Sequence, residues 1–182
     1  MDNPRPDLKA MLPDELDDFV GELGQPTYRT RQILDWLYVK GVRDVGEMTN
    51  LSKALRDMLA QKTRITALRQ VDCQESATGE AVKFLFELPT GQRIESVLII
   101  DGDRRTVCLS SQVGCPLDCK FCATGRMGLI ANLEAGQIVD QFLQVSLFAR
   151  ARGERVTNVV MMGMGEPLLN YDEVGRALRL MR

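Results

Sequence analysis

The 182-residue sequence predicts an α/β protein: an N-terminal helical domain, a short β-meander and then two β/α units. Three observations predict it. Apolar residues recur at helical spacing up to Lys62, the period changes to alternation from Val82, and after Arg105 strand, loop and helix follow one another twice.

The first helical face carries Leu16, Phe19, Val20 and Leu23, and the second Ile33, Leu34, Leu37 and Tyr38. Gly24 and Pro26 separate the two segments, and Gly41 ends the second. A third segment carries Leu51, Leu55, Met58 and Leu59 behind the capping candidates Thr49 and Asn50. Helices this short are marginal alone and must pack together. Residues 1–65 are therefore expected to form a helical accessory domain.

Val82, Phe84, Phe86 and Leu88 alternate with Lys83, Leu85 and Glu87, as in a half-buried strand. Pro89-Thr90-Gly91-Gln92 is a turn, Arg93 to Ile100 the returning strand, and Asp101-Gly102-Asp103 a second turn before Thr106 to Leu109. Residues 66–104 thus read as a β-meander connector. Residues 105–182 then read as a β/α core. A helix with Ile138, Phe142, Val145 and Leu147 lies between Asn132 and Arg152, followed by a strand at Val156 to Met162 that is apolar on both faces. A last helix, Tyr171 to Arg182, places Val174, Leu178 and Met181 on one face. Two β/α units close neither a parallel sheet nor a barrel, so the core is expected to be truncated.

A net charge of −2 gives no electrostatic argument for a nucleic-acid partner. No stretch approaches the roughly 20 apolar residues of a membrane span, and the N-terminus lacks the apolar core of a signal peptide. A cytoplasmic protein without a membrane partner is the expectation. There is no histidine, which leaves sulfur and oxygen as metal ligands. The five cysteines, an odd number, argue against a disulfide framework. Three of them, Cys115, Cys119 and Cys122, form a C-x3-C-x2-C loop. Thiolates suit iron–sulfur clusters and zinc. Three ligands would leave one iron of a [4Fe-4S] cube open to a small molecule. Zinc would have to borrow Cys73, Cys108 or a carboxylate, and three inert buried thiols are the bland reading. Ferredoxin spacing is not met.

This cysteine motif after a first barrel strand resembles the radical S-adenosylmethionine (SAM) enzymes. Longer runs resemble their RlmN-like branch, the adenine C2 methyltransferases of large-subunit (23S) ribosomal RNA and transfer RNA. The runs are Ile94-Glu95-Ser96-Val97, Cys108 to Cys115, Phe121 to Gly125 and Met162 to Asn170, with Tyr28 to Ile33 and Glu47 to Lys53 upstream. The resemblance implies an incomplete (β/α)6 partial barrel over residues 105–182. It implies a [4Fe-4S] cluster on Cys115, Cys119 and Cys122, SAM on its open iron, and Gly165 and Glu166 at the SAM site. Glu95 would be the proton acceptor, and Cys108 the thiol that resolves a protein–RNA crosslink. It also implies a methyl-cysteine intermediate beyond residue 182, so that this stretch is inactive alone. An electron donor such as flavodoxin and a monomeric state complete the expectation. Adenine C8 methylation of ribosomal RNA and a zinc-bearing RNA-binding module are the alternatives. Ala131 stands where the family often has arginine, and Cys73 matches no motif.

Overall fold

The computed structural model describes residues 5–182; Met1 to Pro4, the start of the expected 1–65 domain, lie outside them. Three helices come first: α1 (Pro13–Glu22), α2 (Tyr28–Leu34) and α3 (Lys53–Lys62). α1 opens on a proline that forfeits only an N–H already orphaned at a helix start. The Glu15 carboxylate accepts from the Leu12 N–H at 2.9 Å. α2 runs on into a π-turn over Asp35–Val39, which ends at Gly41 (φ +67°). The cap of α3 is not Thr49 or Asn50 but Ser52, whose Oγ accepts from the Leu55 N–H at 3.3 Å. Asn50 is occupied elsewhere, accepting from Trp36 Nε1 at 2.5 Å. The apolar faces of the three helices bury Leu16, Val20, Ile33, Leu37, Leu55 and Leu59 together.

The meander is larger than the alternation predicted. Four antiparallel strands, β1 (Arg69–Glu75), β2 (Ala81–Glu87), β3 (Arg93–Asp101) and β4 (Arg104–Cys108), pair in sequence. β1 has no apolar alternation, because most of its residues are exposed, and only its pairing with β2 makes it a strand. After β4 come a short hairpin, β5 (Gln112–Gly114) with β6 (Leu129–Asn132), then α4 (Ala135–Ala151), β7 (Asn158–Val160) and α5 (Tyr171–Leu180). β7 joins the sheet parallel to β4, with Cys108 opposite Val160, giving the order β1-β2-β3-β4-β7.

α4 covers one face of this sheet. Phe84, Phe86, Ile94, Leu98 and Val107 pack with Ile138, Val139 and Leu143 in one core, and the Phe84 ring meets the edge of Phe148 at 5.0 Å. The two-residue period of strands puts Lys83, Leu85, Glu95, Val97 and Cys108 on the opposite face, half-exposed. β7 departs from expectation. It is shorter than 156–162 and is not buried on both faces: Asn158 is exposed and Val159 and Val160 are half-buried. The reason is its place at the sheet edge, with β4 on one side alone.

The helical module is joined to the core by buried polar contacts. Lys9 Nζ meets Asp140 Oδ1 at 2.5 Å, with both side chains almost fully buried. The other carboxylate oxygen of Asp140 accepts from the Leu68 N–H at 2.7 Å and from Gln144 Nε2 at 2.8 Å. Among the described residues no helix is long and apolar enough to cross a membrane.

Candidate cluster and cofactor site

The cysteine loop is the long connection of the β5–β6 hairpin. Its base is closed by the Cys115 N–H, which donates to Gly128 O at 3.0 Å. Gly114 (φ +73°) makes that closure possible: a Cβ there would lie 1.9 Å from Gly128 O. At the far side, a Cβ on Gly125 would lie 2.6 Å from Leu117 O, so the two limbs of the loop pass backbone against backbone. Cys115 is buried at the base, Cys122 half-buried, and Cys119 exposed at the apex. The Gly125 N–H donates to the Cys122 thiolate, as does that of Thr124, and together they hold this thiol below its usual range.

Among the described residues no three His, Cys, Asp or Glu side chains are gathered closely enough to hold a metal ion. The sequence places the three cysteines on one loop; the fold fixes that loop's base and leaves its apex in solvent, with the thiols apart. The donor set nevertheless fits an iron–sulfur cluster. It offers soft sulfur ligands, no competing imidazole, and backbone N–H groups already directed at one sulfur.

Gly165 and Glu166 follow β7 at the C-terminal end of the parallel β4–β7 pair, the rim where ligands collect in such sheets. Gly165 has φ +98°, and a Cβ there would lie 2.5 Å from Gln112 Cβ, so only glycine allows this approach. The Glu166 N–H donates to Gln112 Oε1 at 2.8 Å. One Glu166 carboxylate oxygen, Oε1, accepts from the Leu168 N–H at 3.0 Å and caps the short helical turn Pro167–Asn170.

Glu95 and Cys108 share the open face of the sheet. Cys108 pairs with Val97, which makes Glu95 its diagonal neighbour, a relation of about 7–8 Å in antiparallel sheets. Lys83 Nζ stands 3.0 Å from Glu95 Oε1, with both side chains close to half exposed. Burial raises the Cys108 thiol above its ordinary range, against a smaller lowering by a backbone hydrogen bond from Met162. Cys73 lies away from this group, on β1, and burial raises it as well.

Sequence reasoning missed the polar residues that join these parts. Ser110 Oγ donates to Glu95 O at 2.6 Å and accepts from the Met164 N–H at 2.9 Å. Gln141 Oε1 accepts from Ser96 Oγ at 2.8 Å and from the Ser110 N–H at 3.0 Å. Asn170 Nδ2 donates to Ser111 O at 2.9 Å and to Leu133 O at 2.8 Å. Ser110, Gln112 and Gln141 are completely or almost completely buried. The signal in the sequence was Ser110-Ser111-Gln112 between the apolar Leu109 and Val113, polar residues in a stretch too apolar to be a free loop.

Known proteins resemble this chain over nearly its whole length. Residues 6–65 match the family described as the ribosomal RNA large subunit methyltransferase N-terminal domain, and residues 109–182 match the radical SAM superfamily. The chain is 44% identical over 178 residues to the dual-specificity RNA methyltransferase RlmN of Saccharophagus degradans, covering 96% of this chain and 44% of that protein. With the probable dual-specificity RNA methyltransferase RlmN of Salinibacter ruber it shares 48% identity over 177 residues, 93% of this chain and 48% of that one. The crystal structure of a radical SAM methyltransferase from Sphaerobacter thermophilus superimposes with a TM-score of 0.90 at 44% identity, over 97% of this chain and 52% of the other. The chain thus spans about half the length of the relatives it matches. With one matched segment in its helical module and the other beginning at the strand end that leads into the cysteine loop, the chain belongs to the radical SAM superfamily, on its RlmN-like branch.

Proposed function

We propose that this chain carries the cofactor-binding part of an enzyme that methylates C2 of adenosine in 23S ribosomal RNA and in transfer RNA. One observation carries the reading: a three-cysteine loop, closed at its base, is tied through Gln112 to the Gly165-Glu166 turn at the rim of the parallel strands. The relatives, RNA methyltransferases and a radical SAM methyltransferase, support the same class.

In this reading residues 1–65 are the accessory domain, 66–104 the connector and 105–182 the barrel core. Cys115, Cys119 and Cys122 would hold a [4Fe-4S] cluster with one iron left for SAM. The bound pair supplies one-electron chemistry able to attack a carbon that ordinary methyl transfer does not reach. Gly165 lets the turn come close to Gln112, and Glu166 would accept hydrogen bonds from the SAM ammonium through the oxygen not spent on Leu168. Glu95, oriented by Lys83, would receive the proton leaving the target carbon. Cys108, kept as a thiol by burial until it reacts, would resolve the protein–RNA crosslink. Its sulfur would bond to the sulfur of the methyl-carrying cysteine as the bond from that sulfur to the RNA-bound carbon breaks, and that carbon would take up the thiol proton. A donor such as flavodoxin would supply the electron, and the protein would act as a cytoplasmic monomer.

The test is anaerobic reconstitution with iron and sulfide. The chain should take up about four irons, and Cys115→Ala, Cys119→Ala and Cys122→Ala should each take up little. Zinc bound tightly in place of iron would contradict the reading.

A further inference from the structure

The cysteine loop and the Glu166 turn are far apart in sequence, yet one side chain holds both. Gln112 is fully buried and both ends of its amide are used. Its Nε2 donates to Asn132 Oδ1 at 2.8 Å, on the strand by which the cysteine loop returns. Its Oε1 accepts from the Glu166 N–H at 2.8 Å. Its own N–H donates to Met164 O at 3.1 Å. Gly165 closes against its Cβ, so the turn has no room to shift toward the hairpin.

A glutamine amide is suited to this task. It donates on one side and accepts on the other, and burial without either partner would be costly. A leucine or methionine would fill the same space and connect nothing. The geometry points to Gln112 as a positioning residue that sets the Glu166 carboxylate relative to the cysteine loop, with Asn132 as the link on the loop side. The inference rests on the reading that this loop holds the cluster and that Glu166 faces SAM. Gln112 acts through Glu166 and Asn132. Filling the cysteine loop would be felt at the Glu166 turn through this connection, and the converse would follow by linkage.

Amide-resolved hydrogen exchange on the 182-residue chain, before and after iron–sulfide loading, tests it. Without iron, Gln112→Met should speed exchange of the Glu166 amide about tenfold, as loss of one good hydrogen bond does, and leave the amides of β2 and α4 unchanged. Asn132→Ala, at an exposed position, should leave the Glu166 amide as it is. With iron, the wild-type chain should slow exchange over residues 163–166, and neither variant should. The EPR signal of the reduced, loaded chain should need about tenfold more SAM to change in Gln112→Met than in wild type. Unchanged exchange at Glu166 in Gln112→Met would overturn the inference. So would faster exchange spread evenly over β2 and α4, which marks a merely structural residue, or an iron response that survives in both variants. A wild-type chain that takes up no iron counts against the proposed function instead, and the iron-free comparison still decides the role of Gln112.

Discussion

Cys108 and Cys122 are pushed in opposite directions by their surroundings. Burial raises Cys108, while the N–H groups of Gly125 and Thr124 lower Cys122. Because the thiolate is the reactive form, the raised Cys108 is protonated through neutral pH and its alkylation should climb only above the ordinary thiol range. Iodoacetamide labelling with peptide mapping, in a variant lacking the other four cysteines, should show Cys108 reacting at least about tenfold more slowly than a free cysteine at pH 8. Equal rates across pH 7 to 9 would contradict the burial argument. Gly165→Ala should cost about 2–4 kcal/mol in denaturant unfolding, since it combines a left-handed φ with a Cβ 2.5 Å from Gln112. A cost within 0.5 kcal/mol would mean that the turn is not held as described. The cysteine spacing was legible in the sequence because few side chains bind iron. Gln112 was not, since a glutamine at the start of so short a strand reads alike whether exposed or saturated with buried partners.

Elements were legible where their own residues carry the period. α1, α3, β2 and β3 alternate or repeat plainly, and each lies within a few residues of its expected position. β1 was illegible because its side chains are mostly exposed and its strand character comes from β2. The β5–β6 hairpin was illegible because residues 115–128 separate two strands too short to carry a period of their own. β7 was overextended, since apolar residues near a sheet edge look like those of a central strand. The sheet–helix core depends on β2: Phe84→Ala removes a ring that lies parallel to Phe86 and edge-on to Phe148 and should cost about 3–5 kcal/mol. Ser52→Ala, which removes the cap of α3, should cost about 1 kcal/mol. If thermal unfolding ranked these two in the reverse order, the assignment of the core would be wrong.

At the scale of the whole molecule, a helical module and a sheet–helix core meet across the buried Lys9–Asp140 pair. Neither residue stood out in the sequence, because charged side chains at that spacing are usually solvated. Removing one partner leaves the other charge buried, so Lys9→Met should cost about 3–5 kcal/mol, and Lys9→Met with Asp140→Leu should cost less than the two single changes added together. Strict additivity in that double-mutant cycle would show that the pair is not coupled. We propose that this fold builds an iron–sulfur and SAM site from the loop of Cys115, Cys119 and Cys122 and the Glu166 turn. EPR of the reconstituted, reduced chain with and without SAM tests it most directly. A [4Fe-4S] signal should appear that changes when SAM is added, is absent in the cysteine variants, and responds more weakly in Glu166→Gln. A reconstituted chain with no such signal, or one whose signal ignores SAM at saturating concentration, would contradict it.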